Sequence, residues 1–407
     1  MRWIIFVVIY VLLDVYTYQV FKTVSRYSWI YYIYLFLSLA VLANLLYQFN
    51  SGEGDGWAGA RSYAVGFFLV FFVPKLIFLI FMFGEDVVRL VVGGGRKLTN
   101  SGTDFNLPSR RKFISQIALG LAAIPFVSML YGMYKGRYDF RVLKYTLYFD
   151  DLPDAFDGYR ISQISDIHSG SFDNHEKIKY GVDLLREQDS DVVFFTGDLV
   201  NNEAAEMQNW KELFSTVKAR DGVYSILGNH DYGDYKNWES AAAKKANMDT
   251  LKDIHAEMGW DLMLNEHRFL EKNGERIALV GVENWGAGGF KKNGDLAKAS
   301  EGLTAKDFKI LLSHDPSHWD EKVRTDDKHF QLTLSGHTHG MQFGIEIPGW
   351  FRWSPVQYRY EHWAGIYEEM GRVLNVNRGF GFLAYPGRVG IWPEISVIEL
   401  KKGPKPA

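Results

Sequence analysis

Two unlike hydrophobic patterns meet near residue 135. Before it stand four long apolar runs, Trp3–Phe21, Trp29–Phe49, Tyr63–Phe83 and Phe113–Tyr134. Each comes close to the roughly twenty residues a helix needs to cross a hydrocarbon core. They predict a multi-span helical membrane region over residues 1–134, with Pro74-Lys75 interrupting the third run and Gly120 with Pro125 loosening the fourth. Beyond it the apolar runs shorten to strand length. Leu143–Phe149 reads as an edge strand, so residues 135–150 form a linker and edge strand, and 151–402 a separate α/β domain. There Arg160–Ile164, Asp191–Phe195, Gly222–Leu227, Ile310–Leu312 and Leu332–Leu334 read as strands. Asn174–Gln188, Ala204–Lys218 and Asn237–Met258 read as helices, with further strands between Trp260 and Val282. Such alternation predicts layered α and β elements with the chemistry at the carboxyl ends of strands.

Charge refines the membrane half. Arg89, Arg96, Lys97, Arg110, Arg111 and Lys112 lie between the third and fourth runs, whereas Asn50–Ser62 carries only Arg61 beside Glu53 and Asp55. The basic segment is expected on the cytoplasmic side, which puts everything after Tyr134 outside the cytoplasm in a multi-pass plasma-membrane protein. Arg137, Arg141 and Lys144 pull the other way. Ser109-Arg110-Arg111-Lys112-Phe113-Ile114 reads either as an internal twin-arginine export signal or as a plain positive anchor. Gly93-Gly94-Gly95 and the polar stretch Lys97–Ser109 read as a flexible connection without phosphate-binding spacing. Asp14 and Lys75 fall at similar depths in parallel spans, so an intramembrane ion pair is expected between them.

Composition changes little else. The formal net charge of −3, with no long basic run, argues against a duplex-binding nuclease, so no nucleic-acid partner is expected. The absence of cysteine removes disulfides and thiolate ligands and leaves the compartment open.

The chemistry follows the strands. Ser165-Asp166-Ile167-His168, Thr196-Gly197-Asp198, Gly228-Asn229-His230-Asp231, Ser313-His314-Asp315 and Ser335-Gly336-His337-Thr338-His339-Gly340 each come directly after an apolar run. Five strand ends thus offer nitrogen and oxygen ligands to one rim, and an asparagine ligand beside an acid histidine reads as half of a hydrolytic metal centre. A single histidine is more often core or surface than ligand, but the ordered set is not explained that way. Two cations a few ångströms apart hold the attacking and leaving oxygens of a phosphoryl displacement, and need a carboxylate between them.

This ordered set resembles the calcineurin-like metallophosphoesterases over Leu143–Leu400. The stretches Phe156–Ile161 and Arg388–Ile395 look like the membrane-associated YkuE/YaeI-like branch. The resemblance implies a four-layer α-β-β-α sandwich and two divalent metal ions, Mn, Fe or Zn. It implies Asp166, His168 and His339 on one ion, Asn229, His314 and His337 on the other, and Asp198 bridging. It gives His230 a catalytic task, as proton donor or phosphoryl grip. Some relatives carry a carboxylate three positions after the bridging aspartate to orient that histidine. Here Asn201 stands there as a substrate-side contact, and Asp231 either supplies the missing charge as a second catalytic residue or caps the turn.

Met341–Trp363 is rich in aromatic rings, with Trp350, Arg352 and Trp353 the candidate substrate contacts. It reads either as strands packing rings into the core or as a bilayer-facing lip suited to a phospholipid or lipid-linked phosphate. The expected function is a membrane-anchored phosphoesterase acting on mono- or diesters. The branch includes hydrolases of UDP-2,3-diacylglucosamine, which makes a lipid-linked pyrophosphate the specific expectation. The alternative is a membrane-bound metal-binding regulatory module with little catalysis.

Overall fold

The computed structural model describes residues 2–50, 59–98, 108–347 and 349–406. The chain divides after Tyr134 into two compact units.

The membrane unit is four helices, α1 (Arg2–Val24), α2 (Ser28–Asn50), α3 (Gly59–Leu98) and α4 (Pro108–Tyr134), all long and apolar enough to cross a bilayer. Pro74 does not interrupt α3, and Gly93–Gly95, expected as a flexible connection, lies inside it. The extension past the apolar run holds Glu85, which pairs with Arg89 one turn on at 2.7 Å and with Arg111 of α4 at 3.3 Å. These contacts tie the start of the extension, ahead of the glycines, to its own next turn and to α4. The polar connection 99–107 lies outside the described residues.

The expected pair is present inside this bundle. Lys75 Nζ lies 2.8 Å from Asp14 Oδ1, both buried. Tyr34 donates to Asp14 at 2.7 Å, Ser38 donates to it at 3.0 Å and accepts from Lys75 at 2.7 Å, and the ammonium rests 3.2 Å from the Tyr10 ring centroid. Every charge there has a neighbour of opposite sign or a hydrogen-bond partner, the condition for tolerating ions away from water.

The second unit holds two six-stranded sheets. The first runs β1 (Arg141–Phe149), β14 (Glu394–Lys402), β2 (Arg160–Ile164), β3 (Val192–Phe195), β4 (Val223–Ser225), β5 (Asp261–Leu262). The second runs β12 (Gly365–Glu369), β13 (Arg372–Val376), β9 (Leu332–Ser335), β8 (Lys309–Leu312), β7 (Glu275–Gly281), β6 (Glu266–Lys272). A small ribbon of β10 (Ile345–Ile347) and β11 (Phe351–Trp353) stands apart from both. The period of two sorts the strand residues. Val192 and Phe194 of β3 meet Ile310 and Leu312 of β8 between the sheets, while Val193 and Phe195 face α5 (His175–Arg186) and α7 (Ala241–Met258) on the outside. Leu311 and Val280 face short helices around Trp319 on the opposite outside. The result is the expected α-β-β-α layering, with strands buried on both faces.

One expected element differs. Ala204–Lys218 is not one helix but a 3₁₀ turn, Ala204–Met207, followed by the single turn α6 (Lys211–Phe214). Ala204, Met207, Trp210 and Leu213 are all buried, a spacing of three that fits the tighter helix. The Glu206 carboxylate also draws in the backbone N–H groups of Asn201, Asn202 and Glu203.

Candidate metal centre

Ligand-bearing loops leave the ends of β2, β3, β4, β8 and β9, so both sheets contribute to one rim. The backbone there is unusual. Asp166, His168, Asp198, His337 and His339 all have φ between 49° and 72°, a region L-residues seldom occupy. Such strain persists only where surroundings enforce it, and it clusters at functional sites. Close approach sets the glycines beside the ligands: a Cβ on Gly228 would overlap the Asp198 carboxylate, and one on Gly336 would overlap Ser165 and Asp166.

Two groups of ligating atoms result, Asp166 with His168 and His339, and Asp198 with His314 and His337. In the first, His168 Nε2 and His339 Nε2 face each other at 3.0 Å, and His339 Nε2 is 3.2 Å from Asp166 Oδ1. In the second, His314 Nε2 lies 3.2 Å from Asp198 Oδ2, and His337 Nδ1 lies 2.8 Å from Asn229 Oδ1 and 3.3 Å from His314 Nε2. Asp198 Oδ2 is also 3.6 Å from His168 Nε2, so one carboxylate oxygen reaches both groups. Imidazole lone pairs and carboxylate oxygens converging without matching donors is the arrangement divalent transition metals complete.

The outer contacts orient the rings. His314 Nδ1 donates to the Thr196 carbonyl at 2.7 Å, turning Nε2 inward. His337 Nε2 is 2.7 Å from the Tyr360 hydroxyl and 3.4 Å from Asp315 Oδ2, which leaves Nδ1 for the centre. Arg388, fully buried, places a guanidinium nitrogen 3.1 Å from His339 Nδ1 and is itself held by the Gly379 and Gly381 carbonyls. Outer partners of this kind fix tautomer and ring direction in metal sites. Burial pushes His314 down, but the adjacent Asp198 carboxylate overrides it and raises the ring to about 10. Burial, joined by the neighbouring His339 and His230 rings and opposed by the Asp198 carboxylate, holds His168 well below the ordinary histidine range. Burial also raises Asp198, yet His314 and His230 beside it carry its carboxyl well below the usual range.

All seven expected ligands therefore share one rim, and His230 joins them. Its Nδ1 donates to the Asn201 carbonyl at 2.8 Å and its ring meets the edge of His168 at 5.0 Å. For one other expectation the contacts choose between two roles, and two more need correction. Of the two roles expected for Asp231, the contacts give the turn-capping one in place of charge supply to His230: its buried carboxylate accepts backbone N–H groups of Asp198, Leu199, Val200 and Gly228, binding two ligand loops together. Burial and the nearby Asp198 charge raise it to about 7. Asn201 is not a substrate contact, because its amide is buried against Ser171 and its main-chain oxygen, independent of side-chain type, holds His230. Arg352 is not free for phosphate, since it donates to the Ala364 carbonyl and the Tyr367 hydroxyl and lies against the Trp363 ring. Trp353 is half-buried, whereas Trp350 stands 82% exposed.

Residues without an expected role also appear. Asp315 follows a ligand histidine directly and Tyr360 belongs to the aromatic stretch, so both had a signal in the chain. Tyr235, whose ring lies 4.5 Å from His230 and whose hydroxyl accepts from Asn229, had none.

Fold and site define a membrane-anchored metallohydrolase. A family profile described as "Probable Calcineurin-like phosphoesterase, transmembrane domain" matches residues 1–137, and one described as "Calcineurin-like phosphoesterase" matches residues 159–341. The chain is 28% identical over 299 residues to the uncharacterized metallophosphoesterase YkuE of Bacillus subtilis, covering 72% of this chain and 98% of that protein. It is 27% identical over 391 residues to the "Transmembrane protein with metallophosphoesterase domain" of Danio rerio, covering 93% and 82%. It is 25% identical over 419 residues to the uncharacterized metallophosphoesterase Cj0846 of Campylobacter jejuni, covering 98% and 97%. The chain belongs to the calcineurin-like phosphoesterases of the membrane-associated kind, and it is a metal-dependent phosphoric ester hydrolase.

Proposed function

We propose that the centre is binuclear and hydrolyses a phosphate mono- or diester carried on a lipid, a cell-envelope phosphate ester if the domain lies outside the cytoplasm and a lipid-linked pyrophosphate such as UDP-2,3-diacylglucosamine if it lies inside. The observation that carries the binuclear reading is Asp198, whose one oxygen lies 3.6 Å from His168 of the first group and 3.2 Å from His314 of the second. Asp166, His168 and His339 would hold one ion and Asn229, His314 and His337 the other. When bound, divalent cations supply Lewis acidity toward the phosphoryl oxygens and toward an attacking water.

The chain's own groups do the rest. Asp198 keeps the two ligand sets in register, with its second oxygen accepting the main-chain N–H of His230 at 2.8 Å. His230, with Nδ1 committed to the Asn201 carbonyl, offers Nε2 to exchange a proton with the leaving oxygen. A main-chain acceptor does this without a carboxylate at position 201, which weakens the case for a non-catalytic regulatory module.

Hydrolysis of bis-nitrophenyl phosphate with manganese, wild type against Asp198→Asn, tests the reading. Strong turnover lost in the variant is expected, and equal turnover in both overturns it. The domain is proposed to lie outside the cytoplasm, by the positive-inside distribution. Single cysteines at Thr103 and Glu239, labelled with an impermeant maleimide in whole cells, decide the side: reaction at 103 and not at 239 reverses it. A cytoplasmic domain would favour the UDP-linked precursor, an external one a cell-envelope phosphate ester. Export through the twin-arginine machinery is part of the same proposal, motivated by Arg110-Arg111.

A further inference from the structure

We infer that the β10–β11 ribbon is an interfacial wedge, seating its outer face at the headgroup–acyl boundary of the bilayer in which the chain is anchored. It deepens the lipid-linked reading, but it rests on the four-span anchor and not on the substrate.

The ribbon is two-faced by register. Ile345 pairs with Trp353 and Ile347 with Phe351, and opposed residues of an antiparallel pair point to the same side. Glu346 and Arg352, the remaining pair, point to the other. These are the only charged residues between Met341 and Tyr358, and both are tied inward. Glu346 bonds to Arg378 at 2.6 Å, and Arg352 bonds to the Ala364 carbonyl and Tyr367. The polar face is thus fastened to the domain. The other face presents Ile345, Ile347, Trp350 and Phe351 to the outside, flanked by Met341 and by Tyr358 at 80% exposure. Water-soluble surfaces rarely gather so many large apolar side chains in one short segment without a partner.

A bilayer fits this face. The domain begins at Lys135, directly after α4 ends at Tyr134, so covalent connection keeps lipid within reach. Trp350 in the turn of the ribbon and Tyr358 beyond its other end, with aliphatic residues on the same outer face and no outward charge on the ribbon, match the side chains favoured at the membrane interface. A two-stranded ribbon has unpaired edge groups that hydrocarbon does not satisfy, which limits it to the boundary and excludes a spanning depth. The ribbon also continues directly from the loop His339–Gln342, so seating it would bring the metal centre's rim to the lipid surface.

The chain has no cysteine, so the test uses the full-length protein with a single one. Trp350→Cys and, separately, Ile347→Cys are labelled with the fluorophore NBD, with Tyr180→Cys on the exposed face of α5 as reference. Each is placed at one chain per nanodisc of phosphatidylcholine and phosphatidylglycerol. Dithionite should bleach the ribbon labels roughly tenfold or more slowly than the reference, since a charged reductant is disfavoured at the apolar boundary. Doxyl-labelled lipid should quench them and spare the reference. Bleaching as fast as at position 180 overturns the wedge, and so does slow bleaching without lipid quenching, which means cover by protein. Protection that vanishes at one chain per disc and returns only at higher occupancy assigns the face to a second copy and also overturns it. None of these results touches the hydrolysis of soluble esters, so the wedge and the phosphoesterase reading fail separately.

Discussion

Charges are buried in both halves of this protein, and they are buried differently. In the membrane unit one carboxylate, Asp14, meets one ammonium, Lys75, and hydroxyls of Tyr34 and Ser38 occupy the remaining directions. That cluster closes on itself. In the catalytic unit Asp166 and Asp198 sit among four imidazoles whose free nitrogens point at one another, 3.0 Å apart for His168 and His339. That cluster is completed by cations. A buried polar set that balances its own charge stabilises a fold, and one that converges acceptors binds something.

The largest effect expected from breaking this contrast is at Asp198. Asp198→Asn keeps the shape, removes the shared negative charge, and should lower turnover about a thousandfold or more, the scale of several kcal/mol of transition-state stabilisation. Metal analysis of the purified protein should show ion content falling with it. Full ion content with unchanged turnover would mean the two groups do not act through a common carboxylate. Next is the membrane pair. Asp14→Ala or Lys75→Ala alone strands a charge and should cost about 3–5 kcal/mol in a detergent unfolding titration. The double variant should lose less than the two single losses added together. Simple additivity would mean the pair contributes no coupling.

How legible each half was follows from the same contrast. The spans and the Asp14–Lys75 pair could be read because a charge in an apolar run is conspicuous and bilayer geometry fixes its depth. The ligands could be read because strand ends recur with Asp, Asn and His. The sequence leaves Asp231 between a chemical role and a turn cap, because a carboxylate beside a histidine suits both and its actual partners, four backbone N–H groups, are displayed by no sequence. Asn201 was misread for a related reason: the acceptor for His230 is its main-chain oxygen. The 204–218 segment failed because a spacing of three in buried residues resembles a helical face until the turn is seen to be 3₁₀.

A smaller effect sharpens the second ion group. Tyr360 is 2.7 Å from His337 Nε2, and with Nδ1 facing Asn229 the proton on Nε2 is donated to that hydroxyl. Tyr360→Phe should weaken ion binding there by about 10–100-fold, the usual range for losing such a partner. Titration of turnover with manganese should show one of two binding phases displaced and the other intact. Displacement of neither would return the orienting role to Asp315, 3.4 Å away.

The last effect leaves turnover aside and concerns buried titratable groups that belong to neither class. His255 and His318 are buried neutral, each with one ring nitrogen on a serine hydroxyl and the other without a hydrogen-bond partner. Burial lowers His255 from the ordinary 6.5 to about 3 and His318 to about 4. Below about pH 6.5 the unfolded chain therefore takes up protons that the folded chain refuses. Stability should be flat above that pH and fall as the solution is acidified toward 4, by up to about 1.4 kcal/mol per pH unit for each ring. Ligand protonation adds to the acid sensitivity of the wild type, so the informative quantity is the difference from His255→Gln, which removes one such ring. Thermal unfolding of the two chains between pH 7 and pH 4 should converge as pH falls, the wild type losing its advantage. Parallel curves would show that His255 takes its proton in the folded chain as readily as in the unfolded one.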